Sequence, residues 1–280
     1  MSGFSVDWLS LREGADHRSR DPSLLAALSS TFDGREEIDV VDLGCGSGSN
    51  LRALAAHLPA RQNWRLVDHD AGLLAAARET IAEWADEARR DGDNLEAEKD
   101  GKRLRVSFVQ ADLARDLEAV LDPAPALVTA AALFDLCSRE WIAGFAAVVA
   151  ARGAAFYTAL TYDGREIWEP PHPADAAVLA AFHAHQEGDK GFGFSAGPQA
   201  TQGLAAAFAM AGYRVETGES PWRLGAADAG LIAALANGAA LAVAETGRVP
   251  AADVEDWLAA RVAPGVACVI GHVDLLARPA

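Results

Sequence analysis

Three glycines that follow an aspartate are the residues of this sequence best suited to binding a ligand. Asp42 lies near the end of a short apolar run and is followed by Gly44, Gly46 and Gly48. Glycines let the backbone pass close to a ligand, and the free N–H groups of a following helix attract a negative group. An acidic residue just before the glycines suits a ligand with a positive amino group. The plainer interpretation is a sharp turn between a strand and a helix, without a ligand.

Two further aspartates follow the next two predicted strands. Asp68 ends a strand predicted over residues 64–67, and Asp112 comes after one predicted over residues 104–109. Ligands of open parallel sheets bind at the carboxyl ends of the strands. There, Asp68 can accept both hydroxyl groups of a ribose, and Asp112 can face an adenine amino group. The alternatives are a helix N-cap role for Asp68 and an ordinary loop position for Asp112.

The spacing of the glycines separates competing nucleotide ligands. A dinucleotide fingerprint, G-x-G-x-x-G counted from Gly44, requires glycine at position 49, where Ser49 stands. A P-loop is excluded because no Gly-Lys-Ser/Thr follows. An NAD-dependent oxidoreductase that uses Asp68 on the ribose stays open as an alternative. A Tyr-x-x-x-Lys pair would support it, but Tyr162 is followed at that spacing by Glu166.

These residues resemble the class I (Rossmann-like) S-adenosylmethionine-dependent methyltransferases. The segment from Asp42 to Gly48 is similar to the family's first motif, Val67-Asp68-His69-Asp70 to its second, and Ala111-Asp112-Leu113 to its third. The resemblance covers residues 38–160. It implies that S-adenosyl-L-methionine is the cofactor and that it is bound by Asp42, Gly44, Cys45, Gly46, Gly48, Asn50, Asp68, His69, Asp112, Leu113 and Ala130. The segment Phe134-Asp135-Leu136 departs from the N/D-P-P-Y/F sequence expected for methylation of DNA bases or glutamine.

Methyl transfer is an in-line displacement, in which an enzyme mainly supplies proximity and alignment. A general base is needed only if the acceptor arrives protonated. Beyond the fourth and fifth strands, the residues suited to this chemistry are His185, Tyr162 and Asp135. His183 and His185 are two residues apart and cannot share a helix face, so no metal pair is expected. A surface position for His185 is nearly as favoured as a role as base.

The resemblance predicts transfer of a methyl group to an oxygen or nitrogen atom of a small molecule. A non-catalytic regulatory protein that binds S-adenosylmethionine is the other interpretation left open. A predicted N-terminal helical lid spans residues 1–33, and within it Arg12, Arg18 or Arg20 is placed to meet a substrate carboxylate. For any one of these arginines, a solvated helix face is the more favoured interpretation.

Strands that alternate with helices predict an α/β fold, a doubly wound and mostly parallel sheet with helices on both faces. The resemblance adds a seven-stranded sheet with a reversed last strand. We expect a single domain over residues 1–280, with a cofactor-binding core at 38–160 and insertions at 163–200 and 226–263 that shape the acceptor site. The charged residues 85–103 are expected to form a solvated helix extension and loop.

The composition restricts the classes of molecule that the protein is expected to bind. The net charge is −16, from 24 basic and 40 acidic residues, which disfavours nucleic acids because their binders carry basic surfaces. Cys45, Cys137 and Cys268 lie far apart, which predicts neither disulfides nor a zinc site. Residues 1–16 do not resemble a signal peptide, and no uninterrupted apolar stretch approaches the roughly 20 residues of a membrane span. The prediction is a soluble cytoplasmic protein without a membrane partner, and a homodimer is left open.

Overall fold

The computed structural model describes residues 4–189 and 191–280. The first three residues of the predicted lid and Lys190 therefore lie outside the described residues. The helices are Val6–Ser19 (α1), Pro22–Thr31 (α2), Ser49–Leu54 (α3), Ala71–Trp84 (α4), Leu113–Val120 (α5), Arg139–Ala151 (α6), Asp175–Gln186 (α7), Ala200–Met210 (α8), Ala229–Thr246 (α9) and Ala251–Arg261 (α10). The strands are Glu37–Leu43 (β1), Arg61–Asp68 (β2), Glu87–Asp91 (β3), Asn94–Lys99 (β4), Lys102–Gln110 (β5), Leu127–Ala131 (β6), Ala155–Glu169 (β7), Tyr213–Glu219 (β8), Trp222–Leu224 (β9) and Ala267–Pro279 (β10).

The sheet confirms the predicted α/β class and corrects the number of strands. Its order is β3-β4-β5-β2-β1-β6-β7-β10-β8, and β9 also pairs with β10, which makes ten strands among the described residues instead of seven. Strands β5, β2, β1, β6 and β7 are parallel, whereas β10 runs antiparallel to β7 and β8. The reversed last strand is thus confirmed. The three strands that the prediction missed are the β3–β4 hairpin and β9.

The prediction for residues 85–103 was wrong, because the density of charge hides a strand pattern. In β4, Leu95 and Ala97 are buried whereas their neighbours along the strand are not. This alternation is the period of two of a strand with one buried face. Opposite charges on β3 and β4, such as Arg89 and Glu96, pair across the strands. The charged side chains therefore cover the exposed face of a hairpin.

Both faces of the sheet are covered by helices, as a doubly wound fold requires. On one face, the buried side chains of α2, α4 and α9 pack with strand residues such as Trp64 and Tyr157. On the other face, α5, α6 and α8 pack around an aromatic group that includes Phe145, Phe156 and Phe208. The N-terminal segment is divided into two helices, and the Asp21 carboxylate accepts a hydrogen bond from Leu24 N at the start of α2.

Strand β7 continues beyond the carboxyl edge of the parallel sheet. Its pairing with β6 ends at Ala159, but it runs on to Glu169 by pairing with β10. Leu160 lies at the transition with a φ of 60°, and its N–H donates to the buried Asp274 carboxylate at 2.9 Å. The first residues of the insertion predicted at 163–200 therefore belong to a strand of the sheet. This extension carries Tyr162 past the end of β6.

One helical segment, Ala226–Thr246, is long and apolar enough to span a membrane by length and composition alone. The buried side of α9 includes Leu231, Ile232 and Val243, and the helix packs against α7 and α10. A core helix of a soluble protein meets the same criterion, so this segment is weak evidence for membrane association.

Candidate functional site

The glycine loop between β1 and α3 is compressed between two other helices. A Cβ at Gly48 would lie 2.9 Å from Ile81 Cδ1 of α4, and one at Gly46 would lie 2.9 Å from Leu9 Cδ1 of α1. Both glycines have positive φ values, 78° and 53°. A side chain at either position is therefore strained by the backbone conformation and requires the tip of Ile81 or Leu9 to move. The close approach of Leu9 also shows that α1 lies over the loop.

Polar contacts hold α1 against the first turn of α3. The Arg52 guanidinium donates to both carboxylate oxygens of Glu13, at 2.8 and 2.7 Å. His17 Nε2 lies 3.0 Å from Ser49 Oγ. These contacts place the N-terminal helix where the sequence predicted a lid, and its role as a lid remains a prediction.

Asp42 lies at the floor of the loop, fully buried and only partly hydrogen-bonded. Asn50 Nδ2 donates to Asp42 Oδ1 at 2.7 Å and to Thr129 Oγ1 at 3.1 Å. Asp42 Oδ2 and Asn50 Oδ1 are buried without any partner. Desolvation raises the pKa of Asp42 to about 7, despite the hydrogen bond from Asn50. A buried polar atom without a partner costs free energy, so these two oxygens fit a ligand that donates hydrogen bonds.

Arg20 is the complementary group on the N-terminal side. Its side chain is buried, and its Nε and Nη1 atoms have no hydrogen-bond partner. The guanidinium lies near enough to Asp42 to oppose the rise of that carboxyl's pKa. The two charges nevertheless do not share a hydrogen bond through these atoms. Arg20 was one of three arginines that the sequence offered for a carboxylate, and the structure distinguishes it by its burial.

Asp68 ends β2, as predicted, and its carboxylate stabilises the loop. Gly46 N donates to Asp68 Oδ2 at 2.9 Å, and Asp70 N donates to Asp68 Oδ1 at 3.0 Å. His69 is exposed, with Nδ1 3.3 Å from Asp68 Oδ1. The N-cap of α4 is Asp70 rather than Asp68, because the Asp70 carboxylate accepts from Gly72 N. Each oxygen of Asp68 retains a lone pair for a ribose hydroxyl, a role that remains a prediction.

Asp112 is exposed and begins α5, a helix that the sequence analysis missed. Its Oδ1 accepts from Ala114 N at 3.0 Å. The N–H of Leu113 belongs to the first turn, where N–H groups have no partner within the helix. The buried side chain of Leu113 packs into the core, so only its backbone is available to a ligand. A helix N-cap and a contact to adenine are compatible roles for Asp112.

Like Leu113, the predicted cofactor residues Ala130 and Cys45 have side chains that are buried in the core. Ala130 is fully buried within β6, among the side chains that face α5, α6 and α8. The half-exposed positions at this strand end are Ala131 and Ala132, and Ala132 has a φ of 51°. The Ala130 side chain is therefore turned toward the core, and its role in cofactor binding stays a prediction. Cys45 is also buried, and burial raises the pKa of its thiol.

Asp135 follows β6 in a short 3-10 turn, and its Oδ1 is buried without a partner. Desolvation raises the pKa of Asp135 to about 6, whereas the positive charge of Arg12 lowers it. Arg12 donates to both oxygens of Asp16, at 2.9 and 3.2 Å, and lies 5.0 Å from the ring centre of Trp222. The N-terminal helix thus brings a cation to the end of β6.

Tyr162 contacts His183, which lies two residues before the predicted catalytic residue His185. The Tyr162 hydroxyl lies 3.0 Å from His183 Nε2 and donates to Glu166 Oε1 at 3.1 Å. His185 lies on the same helix, and its Nε2 is 2.9 Å from Glu245 Oε2 of α9. Sequence reasoning missed His183 and Glu166. The signal that was available is the period of two in a strand, which places Glu166 on the same face as Tyr162.

Within residues 4–189 and 191–280, no group of three or more His, Cys, Asp or Glu side chains is arranged to hold a metal ion. The described cysteines are buried and free of disulfides.

Comparisons with known proteins give structural likeness at low identity. No family model and no curated protein matches the sequence. Similar solved structures include YcgJ protein from Bacillus subtilis, at 15% identity and a TM-score of 0.49, with 94% of this chain and 99% of that chain covered. Cyclopropane synthase MmaA2 from Mycobacterium tuberculosis matches at 12% identity and a TM-score of 0.49, with 98% and 95% covered.

A SAM-dependent methyltransferase from Geobacter sulfurreducens, solved in complex with S-adenosyl-L-homocysteine, matches at 16% identity and a TM-score of 0.46 over 100% of both chains. At TM-scores below 0.5, these likenesses carry no argument about activity. The function has to follow from the chemistry of the site.

Proposed function

We propose that this protein is an S-adenosylmethionine-dependent methyltransferase that acts on an oxygen or nitrogen atom of a small molecule. One observation carries the proposal: beside the glycine loop, Asp42 and Arg20 bury opposite charges, and each retains polar atoms without a partner. A zwitterionic amino acid group satisfies both, with its ammonium beside Asp42 Oδ2 and its carboxylate beside Arg20. The methionine part of S-adenosylmethionine carries this pair of charges.

The rest of the cofactor is assigned to the neighbouring strand ends. Asp68 accepts from the ribose, Asp112 accepts from the adenine amino group, and the N–H of Leu113 donates to the adenine ring. His69 is exposed beside Asp68, with its Nδ1 3.3 Å from Asp68 Oδ1. NAD fits this set poorly, because its negative pyrophosphate would lie against the loop whose floor is the Asp42 carboxyl.

When bound, the cofactor supplies a methyl group on a positively charged sulfur atom. The chain's own residues hold the acceptor in line with that group and exclude water, which is the main contribution such a reaction needs. Helix α1 is proposed to complete the enclosure, since Leu9 already lies against Gly46. Asp135, at the end of β6, faces the acceptor side.

The choice of a small-molecule acceptor is supported by the acidic surface and by the buried position of the site. A net charge of −16 disfavours nucleic acid, and we place the protein in the cytoplasm without a membrane partner. The segments at 163–200 and 226–263 are proposed to shape the acceptor pocket, since they supply the extension of β7 and helices α7, α9 and α10.

Thermal unfolding with added ligands tests this function. S-adenosylhomocysteine is expected to raise the Tm because it binds only the folded state, whereas NAD is not. Asp68→Ala should remove the shift, because it removes the ribose acceptor and the bond to Gly46 N. Transfer of labelled methyl groups to a metabolite extract then separates an enzyme from a binding protein. A Tm shift with NAD alone would refute the proposal.

A further inference from the structure

Tyr162, His183 and Glu166 form a hydrogen-bonded chain that the proposed cofactor site does not use. Tyr162 lies three residues beyond Ala159, where the pairing of β7 with β6 ends. It is therefore past the carboxyl edge of the sheet, where parallel sheets bind their ligands. Its hydroxyl has one proton and two partners, His183 Nε2 at 3.0 Å and Glu166 Oε1 at 3.1 Å. Such a hydroxyl can pass a proton between its neighbours.

This hydrogen-bonded chain of side chains leads from the protein interior to solvent. Tyr162 is buried, and so is most of Glu166, whose Oε2 accepts from Trp168 Nε1 at 3.3 Å. His183 is only half-buried, so its imidazole can exchange protons with water. Desolvation lowers the pKa of His183, which keeps its ring neutral and able to accept a proton at pH 7.

Two unpartnered polar atoms lie near Tyr162 and mark a polar ligand site. His272 Nδ1 and Asp135 Oδ1 are both buried without a hydrogen-bond partner, and the charge of Asp135 acts on the Tyr162 hydroxyl. His272 is opposite Tyr162 in the β10–β7 register, with their ring centres 6.3 Å apart. Buried polar atoms in folded proteins normally have partners, so two orphans together indicate the place of a missing polar group.

Charged and titratable groups meet this cluster from every element packed against it. They are Asp163 and Glu166 on β7, His183 and Glu187 on α7, Asp175 at the start of α7, His272 on β10, Asp135 after β6 and Arg12 on α1. Arg12 is paired with Asp16, and Asp163 with Arg165. Asp175 is paired with Arg261, which leaves Asp135, Glu166 and Glu187 as the carboxyls of this set without an ion pair among the described residues. Burial raises the pKa of Asp135 and of Glu166.

We propose that Tyr162 takes a proton from the acceptor and passes its own to His183, and that the acceptor is therefore a neutral hydroxyl compound methylated on oxygen. The inference rests on the proposed function and names its substrate class. The acceptor's O–H bond breaks and its proton moves to Tyr162 Oη. The Tyr162 hydroxyl rotates from Glu166 Oε1 to His183 Nε2, and its own proton moves to that nitrogen and later to water. The freed oxygen pair forms the bond to the methyl carbon, and the pair of the broken C–S bond stays on sulfur.

A base in direct contact with the methyl acceptor favours a hydroxyl compound over an amine as that acceptor. A neutral amine attacks with a lone pair while it keeps its protons, so a proton needs to leave only after the transfer. A hydroxyl oxygen is a weak nucleophile until its proton is removed, and a positioned base supplies that step. A phenol or alcohol also enters a buried site without the cost of desolvating a charge.

Binding of 4-nitrophenol to protein loaded with S-adenosylhomocysteine tests the relay without turnover, because only the phenolate absorbs visible light. We expect the phenolate band of the bound probe to appear at lower pH than for the free probe. Tyr162→Phe and His183→Asn should each weaken binding of the phenolate about 10-fold or more, the worth of a charge-assisted hydrogen bond. The NMR titration of the His183 ring should also move to a new pH in Tyr162→Phe.

Tyr213→Phe and His172→Asn are the matched controls. Tyr213 donates to Ala154 O on the other side of the sheet, and His172 pairs with Asp256 at the surface. Both variants should leave the probe's spectrum unchanged. The relay would be overturned if the wild-type protein did not bind the probe, or if Tyr162→Phe and His183→Asn both bound the phenolate as tightly as the wild type. It would also be overturned if His185→Asn weakened phenolate binding and His183→Asn did not. Failure of S-adenosylhomocysteine to bind the wild type would instead overturn the proposed function.

Discussion

At the scale of single residues, the site is defined by charges that the fold buries without pairing them. Isolated charges are expensive inside a protein, and an arginine and an aspartate that lie near each other would normally form an ion pair. Arg20 and Asp42 instead each retain free polar atoms. The cost of this arrangement is recovered if a ligand with both charges binds between them.

Substitution of Arg20 separates the two halves of the cofactor. Arg20→Gln removes the partner of the methionine carboxylate, so we expect S-adenosylhomocysteine to bind about 10-fold or more weakly. Methylthioadenosine, which lacks the amino acid, should bind as it does to the wild type. Arg18→Gln is the control, because Arg18 is an exposed neighbour that pairs with Asp228. Equal losses for both ligands in Arg20→Gln would show that the change acts through stability alone.

Cofactor affinity should depend on pH through Asp42. Its pKa of about 7 means that the carboxyl is ionised above that pH and neutral below it. The ammonium of S-adenosylhomocysteine gains an ion pair only with the ionised form, so its affinity should rise from pH 6 to pH 8, as calorimetry can measure. In Asp42→Asn the affinity should be low and flat over this range. A wild-type affinity that is equally flat would remove Asp42 from the site.

At the scale of elements, the loop, α1 and the β7 extension bring the site together. The β1–α3 loop is compressed by α4 from one side and by α1 from the other. Positions where a strand ends in the sheet were predictable from the sequence, because apolar runs and the following Gly or Asp residues are local signals. Asp42 and Asp68 were found in this way.

Contacts between segments that are distant in the sequence leave no local signal from which they could be predicted. The choice of His183 over His185 depends on how α7 is rotated against β7, and two residues on a helix differ by about 200°. The burial of Arg20 depends on the packing of the segment after α1 against β1, β7 and β10, where Arg20 acts on Asp42, Tyr157 and Asp274. Helix α5 was missed because charged residues, Arg115, Asp116 and Glu118, occupy its exposed side. Each error thus concerns tertiary packing or a charged face that conceals a periodic pattern.

Substitution of Gly46 tests whether α1 encloses the cofactor. Gly46→Ala places a methyl group 2.9 Å from Leu9 Cδ1, at a φ of 53°, so the tip of the Leu9 side chain has to move and the packing of α1 on the loop is weakened. We expect faster proteolysis of the N-terminal segment and weaker binding of S-adenosylhomocysteine. Gly34→Ala is the control for strain, since Gly34 has a φ of 79° but open space around it. Both variants should lose roughly 1–2 kcal/mol of stability, but Gly34→Ala should keep its affinity and its protease resistance.

At the scale of the whole molecule, the ligand site is a cost to folding. A carboxyl whose pKa is raised in the folded state stabilises the fold fully only below its pKa in the unfolded chain, and the contribution is lost as pH rises through the folded value. For Asp42 this window runs from about 4 to about 7. The free protein should therefore be less stable than its uncharged variant at neutral pH.

Urea unfolding of Asp42→Asn tests this cost. The ligand-free variant should exceed the wild type in unfolding free energy by an amount that grows by up to about 1 kcal/mol per pH unit between pH 5 and pH 7. Saturating S-adenosylhomocysteine should reverse the order, because it stabilises the wild type and binds the variant weakly. A variant that is less stable at every pH would show that the charge at Asp42 stabilises the fold.

Calorimetric titration of the wild-type protein with S-adenosylhomocysteine is the direct test of an S-adenosylmethionine site, because it requires no knowledge of the acceptor. The site at Asp42, Arg20 and Asp68 predicts saturable binding at a single site per chain, with no heat from NAD under the same conditions. If S-adenosylhomocysteine did not bind, or if NAD competed for the same site, then Asp42, Arg20 and Asp68 would not form a site for S-adenosylmethionine.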